Sequence, residues 1–266
     1  MRDRTTMGFC PKVCHMNEGH CAFAVLERLA QIMSCYKVDL QTAFEIVPRS
    51  SVFTTHTPVA AGYDEFPADL VMPYLRPMQK YLGVTEKEIL SWGQSIESRP
   101  DGPFSMFILG LRMAQYCNGV SKLHGKVARK MWSHIWPNRP EDEVPITHIT
   151  NGIHVSSFIS REIALLFECY LGPDWHMSSR KPENIKRIGE IFDDELWRAH
   201  EMSRSDLVRN VRDLMVKQYG RRNAPKAIMK QAESVLDQDT LTIVFARRFT
   251  TYKRAYLLLQ DPERLE

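Results

Sequence analysis

No run of the roughly 18 to 20 apolar residues needed by a membrane-spanning helix occurs in this chain. Met1-Arg2-Asp3-Arg4-Thr5-Thr6 leads into no apolar stretch of the signal-peptide kind, so the expected location is cytoplasmic. Cysteine is sparse. Six irregularly spaced cysteines in 266 residues are too few for a disulfide framework and read as reduced thiols. Charge of one sign is also lacking, because 35 basic residues face 32 acidic ones and leave a formal net charge of +3. That balance argues against a nucleic-acid or membrane-surface partner, and any functional positive charge has to be local. Repeats and low-complexity tracts are absent too. What is there is ordinary globular composition, 44% hydrophobic and 25% charged, with room for one large domain or parts of two.

Cys10, Cys14, His15, His20 and Cys21 do cluster, and these are side chains that zinc prefers. Two of the ligand pairs are adjacent in sequence and no second pair stands at zinc-finger spacing. The segment reads better as a strand ending in a polar turn, with no metal site.

The dominant pattern is strand followed by helix. Lys12 to Met16 runs into Asn17-Glu18-Gly19 and a helical periodicity from Ala22 to Met33. Ser51 to Thr55 runs into His56-Thr57-Pro58, a turn containing Gly62, and a helix from Ala68 to Tyr81. Ile146 to Thr150 ends in Asn151-Gly152, and Leu241 to Ala246 leads to Arg247-Arg248 and a helix from Tyr252 to Leu259. Further helices are expected over 104–116, 126–135 and 157–170, and the longest over 194–219, with Asp193 as its cap and Gly220 as its stop. Alternating strands and helices predict an α/β fold with a largely parallel sheet. A boundary is expected near Asn151, because about 90 residues separate it from the next strand at Leu241, too many for an ordinary crossover. The second part would then hold a single strand and helix, so the chain reads as truncated at its C-terminal end.

In open α/β sheets ligands sit beyond the carboxyl ends of the strands, which directs attention to His15–His20, His56–Gly62, Thr150–His154 and Arg247–Arg254. Singly each is weak. The last is the most informative, with four basic residues in eight positions at a strand-to-helix junction, where free backbone N–H groups also favour an anion. A phosphate site fits that chemistry, and with no Gly-rich cradle nearby the side chains must supply most of the binding.

Phe245-Ala246-Arg247-Arg248-Phe249-Thr250-Thr251-Tyr252-Lys253-Arg254-Ala255 resembles the phosphate segment of the α-glucan (glycogen, starch, maltodextrin) phosphorylases, closest to the prokaryotic branch. His15–His20, Phe53–Gly62, Asn118–Gly125 and Ile149–His154 resemble the same family in the same order, so the likeness spans residues 10–266. It implies a GT-B arrangement of two Rossmann-like lobes. Residues 1–150 would be the later part of the first lobe with the glucose-site loops, and 151–266 a helical hinge region and the first βα unit of the second lobe. The implied reaction uses inorganic phosphate to release the terminal α-1,4-linked glucose of glycogen or maltodextrin as glucose 1-phosphate, with retained configuration. Pyridoxal phosphate is the implied cofactor.

By the same resemblance Arg248 and Lys253 would hold the substrate phosphate, His56 and Asn151 would contact the glucose, and Arg247 and Phe158 would lie near the cofactor. Phe158 stands where a tryptophan is expected, and Tyr63 where prokaryotic relatives usually have histidine. The family's cofactor-bearing lysine falls beyond Glu266, so the polypeptide alone is expected to be inactive. The rival readings are a nucleotide-sugar glucan synthase and a non-catalytic glucan-binding remnant; a glycoside hydrolase is weaker, since Glu18, Asp64 and Glu65 form no pair at a defined separation.

Overall fold

The structure, a computed structural model, describes residues 8, 11–59, 63–95, 102–177 and 182–264. Cys10 and the Gly62 turn lie outside the described residues. The chain divides into two compact units, Met1–Gly152 and Ile153–Glu266.

The first unit is a helix-rich α/β layer structure. In chain order it contains β1 (Cys14–Asn17), α1 (Ala24–Tyr36), α2 (Leu40–Arg49), β2 (Ser51–Thr55), β3 (Glu65–Phe66), α3 (Ala68–Leu82), α4 (Glu86–Ser91), β4 (Phe104–Ser105), α5 (Met106–Arg112), β5 (Tyr116–Gly119), α6 (Lys122–Trp132) and β6 (Ile146–His148). Four strands form one parallel sheet in the order β1-β2-β5-β6, and β3 pairs antiparallel with β4. Asn17 is level with Thr54, and Thr54 with Asn118. All four strands therefore end at one edge, where their polar successors gather.

Beneath that edge lies an aromatic core. Phe107 stacks on Trp132 with centroids 4.1 Å apart, and Phe53 meets Phe107 edge-on at 4.9 Å. Such pairs are worth about 0.5–1.5 kcal/mol each beyond the area they bury. At the opposite edge the buried Arg28 donates to the carbonyl of Lys12 and the hydroxyl of Ser50, tying the starts of β1 and β2 together.

The 104–116 region departs from expectation. It is a short strand, a seven-residue helix and the entry to β5 rather than one helix. Ser105 starts the helix by accepting from the Ile108 amide, and the chain leaves it at Met113. Tyr-Cys-Asn-Gly has little β-propensity of its own, but a place between β2 and β6 supplies ladder partners on both sides. The helix expected from Lys126 begins at Lys122, because Ser121 caps it by accepting from the His124 amide. Helices α2 and α4 were not foreseen; Asp39 caps the first, and a Thr85/Glu88 capping box starts the second.

The second unit contains α7 (Val155–Phe158), α8 (Arg161–Leu171), α9 (Pro182–Ile188), α10 (Asp193–Arg221) and α11 (Lys226–Glu233). The single helix expected over 157–170 is split, because Ser160 caps a new one at Arg161. Asp193 lies inside the first turn of α10 rather than capping it, and Gly220 lies inside the helix. Residues 241–246 are not a strand. No other strand exists among the described residues of this unit, so the run has no ladder to join, and Leu241 and Val244 are 82% and 71% exposed. The helix expected from Tyr252 is two 3-10 segments, Thr251–Lys253 and Ala255–Leu259, separated by Arg254 at φ 54°.

Candidate functional site

At the carboxyl edge of the sheet, β1 delivers Asn17 and Glu18 beside the His56-Thr57 peptide that leaves β2. The Glu18 amide continues the ladder by donating to the Thr54 carbonyl at 2.9 Å. One carboxylate oxygen of Glu18 then accepts three hydrogen bonds, from the His56 amide at 2.6 Å, the Thr57 amide at 2.9 Å and the Thr57 hydroxyl at 3.0 Å. Glu18 makes these contacts from φ 66°, ψ 172°, a region that is nearly glycine-only and costs a non-glycine residue on the order of 1–3 kcal/mol.

The imidazole of His56 is oriented as well. Its Nε2 lies 2.5 Å from Asn17 Oδ1, which can only accept, so Nε2 carries a proton and Nδ1 is left for a ligand. Behind this contact a polar row crosses three strands, with His15 Nε2 2.7 Å from Thr54 Oγ1 and the Thr54 hydroxyl donating to Asn118 Oδ1 at 3.0 Å.

From below, Tyr63 completes the support. Its ring packs at a steep angle against both members of the Phe107–Trp132 stack, with centroids at 4.4 and 4.6 Å, and its hydroxyl donates to the Thr57 carbonyl at 2.6 Å. Burial pushes this phenol up to about 12.

Asn151 is held through its backbone, its amide donating to the Val120 carbonyl at 3.1 Å, while its side chain is exposed. The strand order puts the ends of β2 and β6 two strand spacings apart, roughly 10 Å. His56 and Asn151 thus stand on one edge of one sheet. Between them the start of α6 packs closely on β5, and Gly119 permits it: a Cβ there would lie 2.9 Å from the Gly125 amide nitrogen and from His124 Nδ1. His124 Nδ1 accepts from the Val120 amide, and its buried Nε2 has no hydrogen-bond partner among the described residues.

The Cys/His cluster is otherwise engaged. Cys21 donates to the Glu18 carbonyl and His15 faces Thr54. No group of three metal-binding side chains occurs among the described residues.

In the second unit Arg247, Arg248, Lys253 and Arg254 fall within eight residues that include no acid. The Arg248 guanidinium approaches the Tyr252 hydroxyl at 3.4 Å, and Lys253 Nζ lies 4.7 Å from the centre of the Tyr252 ring. Tyr252 therefore gathers two of the cations without neutralising either. Phe158 is 84% exposed. A recess of about 550 Å³ between α8 and α10 is lined by Leu165, Leu166, Tyr170 and Met202, and none of the expected site residues borders it.

The sequence profile of the family described as carbohydrate phosphorylase matches residues 7–260. The chain belongs to this family. It is 37% identical over 267 residues to a maltodextrin phosphorylase of Thermococcus litoralis, covering 100% of this chain and 30% of that protein. It is 38% identical over 262 residues to a glycogen phosphorylase of Mycobacterium tuberculosis, covering 96% of this chain and 30% of that one. A glycogen phosphorylase of Aquifex aeolicus is 34% identical over 254 residues, 95% of this chain and 36% of its own length. The chain thus spans about a third of the length of these relatives. Carbohydrate phosphorylases have the two-lobed GT-B glycosyltransferase fold, and the parallel sheet with its covering helices is a portion of it. No helix among the described residues is long and apolar enough to cross a membrane.

Proposed function

We propose that this chain carries the glucose-contacting loops and the phosphate-holding segment of an α-1,4-glucan phosphorylase. The enzyme would transfer the terminal glucose of glycogen or a maltodextrin to inorganic phosphate, releasing glucose 1-phosphate with retained configuration. The observation that carries this reading is the fixed His56-Thr57 loop at the carboxyl edge of the sheet, in a chain matched by the family over residues 7–260.

In this reading His56 bonds a sugar hydroxyl at Nδ1, and the Asn151 amide donates to one hydroxyl and accepts from another. Imidazole and amide groups suit a substrate ring whose hydroxyls both donate and accept. Arg248 and Lys253 hold the phosphate that attacks the glycosidic bond, offsetting a charge that would otherwise resist entering a cleft of low dielectric.

The family's cofactor is pyridoxal phosphate, which when bound supplies a second phosphate group that assists proton transfer to the glycosidic oxygen. The donor set fits that group: four cations with no acid among them leave guanidinium capacity beyond what one phosphate needs. Arg247 would face the cofactor's phosphate and Phe158 its ring. No covalent attachment is assigned to any lysine of this chain.

The test is ligand choice. Glucose 1-phosphate and inorganic phosphate should raise the melting temperature of the enzyme containing this chain, and Arg248→Ala should abolish the rise. A rise with uridine or adenosine diphosphate glucose instead would replace this reading with a nucleotide-sugar synthase. Binding of a maltodextrin with no phosphate effect would leave a glucan-binding protein.

A further inference from the structure

We infer that Glu18 and Tyr63 form a two-sided clamp on the His56-Thr57 peptide and act as positioning residues for the imidazole of His56. Three features of the chain converge on that peptide. Glu18 takes both of its amides and the Thr57 hydroxyl on a single carboxylate oxygen, and Tyr63 takes the Thr57 carbonyl from the opposite side. Glu18 does so from a backbone geometry that only glycine adopts freely, so the strain is maintained by what its side chain holds.

Tyr63 is fixed in turn by its contacts with Phe107 and Trp132, so the clamp is referenced to the core and not to another loop. Asn17 then sets the tautomer of a ring whose backbone is already immobile. Both ends of the device come from residues directly after adjacent strands, β1 and β2, and a ring anchored beneath them.

The division of labour is also chemical. A carboxylate is the better acceptor for converging N–H and O–H donors, since charge-assisted bonds are roughly twice as strong as neutral ones. Glutamine at 18 would keep an acceptor oxygen in the same place and should preserve most of the geometry. Glycine would remove the side chain while relieving the backbone, so the relief offsets part of the lost hydrogen bonding and the variant tests positioning. Phenylalanine at 63 would leave the aromatic contacts and delete the hydroxyl's bond to Thr57 together with its contact to Met131 Sδ.

The purpose assigned to the clamp, presenting Nδ1 to a sugar, rests on the proposed function; the clamp itself does not. Amide hydrogen exchange in the isotope-labelled 266-residue chain reads the two separately. Glu18→Gly should accelerate exchange of the His56 and Thr57 amides by on the order of tenfold to a hundredfold, with β1 and β2 unaffected. Glu18→Gln should retain most of the protection, and Tyr63→Phe should shift the Thr57 and His56 resonances. Unchanged exchange at 56 and 57 in Glu18→Gly, or acceleration spread equally over both strands, would overturn the clamp. Adding glucose should move the His56 imidazole signals of the unsubstituted chain, and less so in Glu18→Gly. If glucose moves nothing while the exchange pattern is as described, the clamp stands and the sugar reading falls.

Discussion

The Gly119 position shows how little room the site's support allows. A methyl group there would sit 2.9 Å from a backbone nitrogen of α6 and from the His124 ring, so the helix start must move. Gly119→Ala should therefore lower unfolding free energy by about 1–3 kcal/mol, measured by urea denaturation. Titration behaviour at single residues gives a second prediction. Burial pushes the Cys117 thiol from 9.0 up to about 12, and the Tyr63 phenol from 10.0 up to about 12. Burial raises Cys14 and Cys21 as well. The folded chain thus keeps these groups neutral at a pH where the unfolded chain ionises them, and their contribution is fully present below about pH 9. As pH climbs from 9 towards 12 that stability is lost. Melting temperature against pH should fall above 9, and the fall should be shallower in Cys117→Ala; a profile flat to pH 11.5 would contradict the assignment.

Among the elements, the strands with clear β-formers were legible, as in Ser51–Thr55. Tyr116–Gly119 was not, because its Asn118 and Gly119 are chosen for the polar row and for the close approach of α6, both of which weaken a strand signal. Leu241–Ala246 erred the other way. Its composition is that of a buried parallel strand, but a strand is a paired object, and the second unit offers it nothing to pair with among the described residues. Its amides should exchange at nearly unprotected rates, whereas those of β2 should be among the slowest, as hydrogen exchange followed by mass spectrometry would show. The candidate site was half legible for the same reason. His56 and Asn151 stand out after strand ends, but Glu18 and Tyr63 acquire their meaning from the register of Asn17 with Thr54 and from the aromatic core, neither of which a linear pattern displays.

Across the whole molecule, the family match covers nearly all of the chain while the chain covers about a third of its relatives' length. The polypeptide of 266 residues should by itself give no phosphorolysis of a maltodextrin in the presence of pyridoxal phosphate; turnover above a cofactor-free control would require a complete site within it. Binding is the more direct question, since the glucose and phosphate groups assigned here all lie within this chain. Titration of the isotope-labelled chain with glucose 1-phosphate tests it most directly. The account predicts that the imidazole of His56, the side-chain amide of Asn151 and the side chains of Arg248 and Lys253 shift together, and that inorganic phosphate moves only the last two. Glucose 1-phosphate leaving all four unmoved, or a nucleotide sugar moving them in its place, would contradict it.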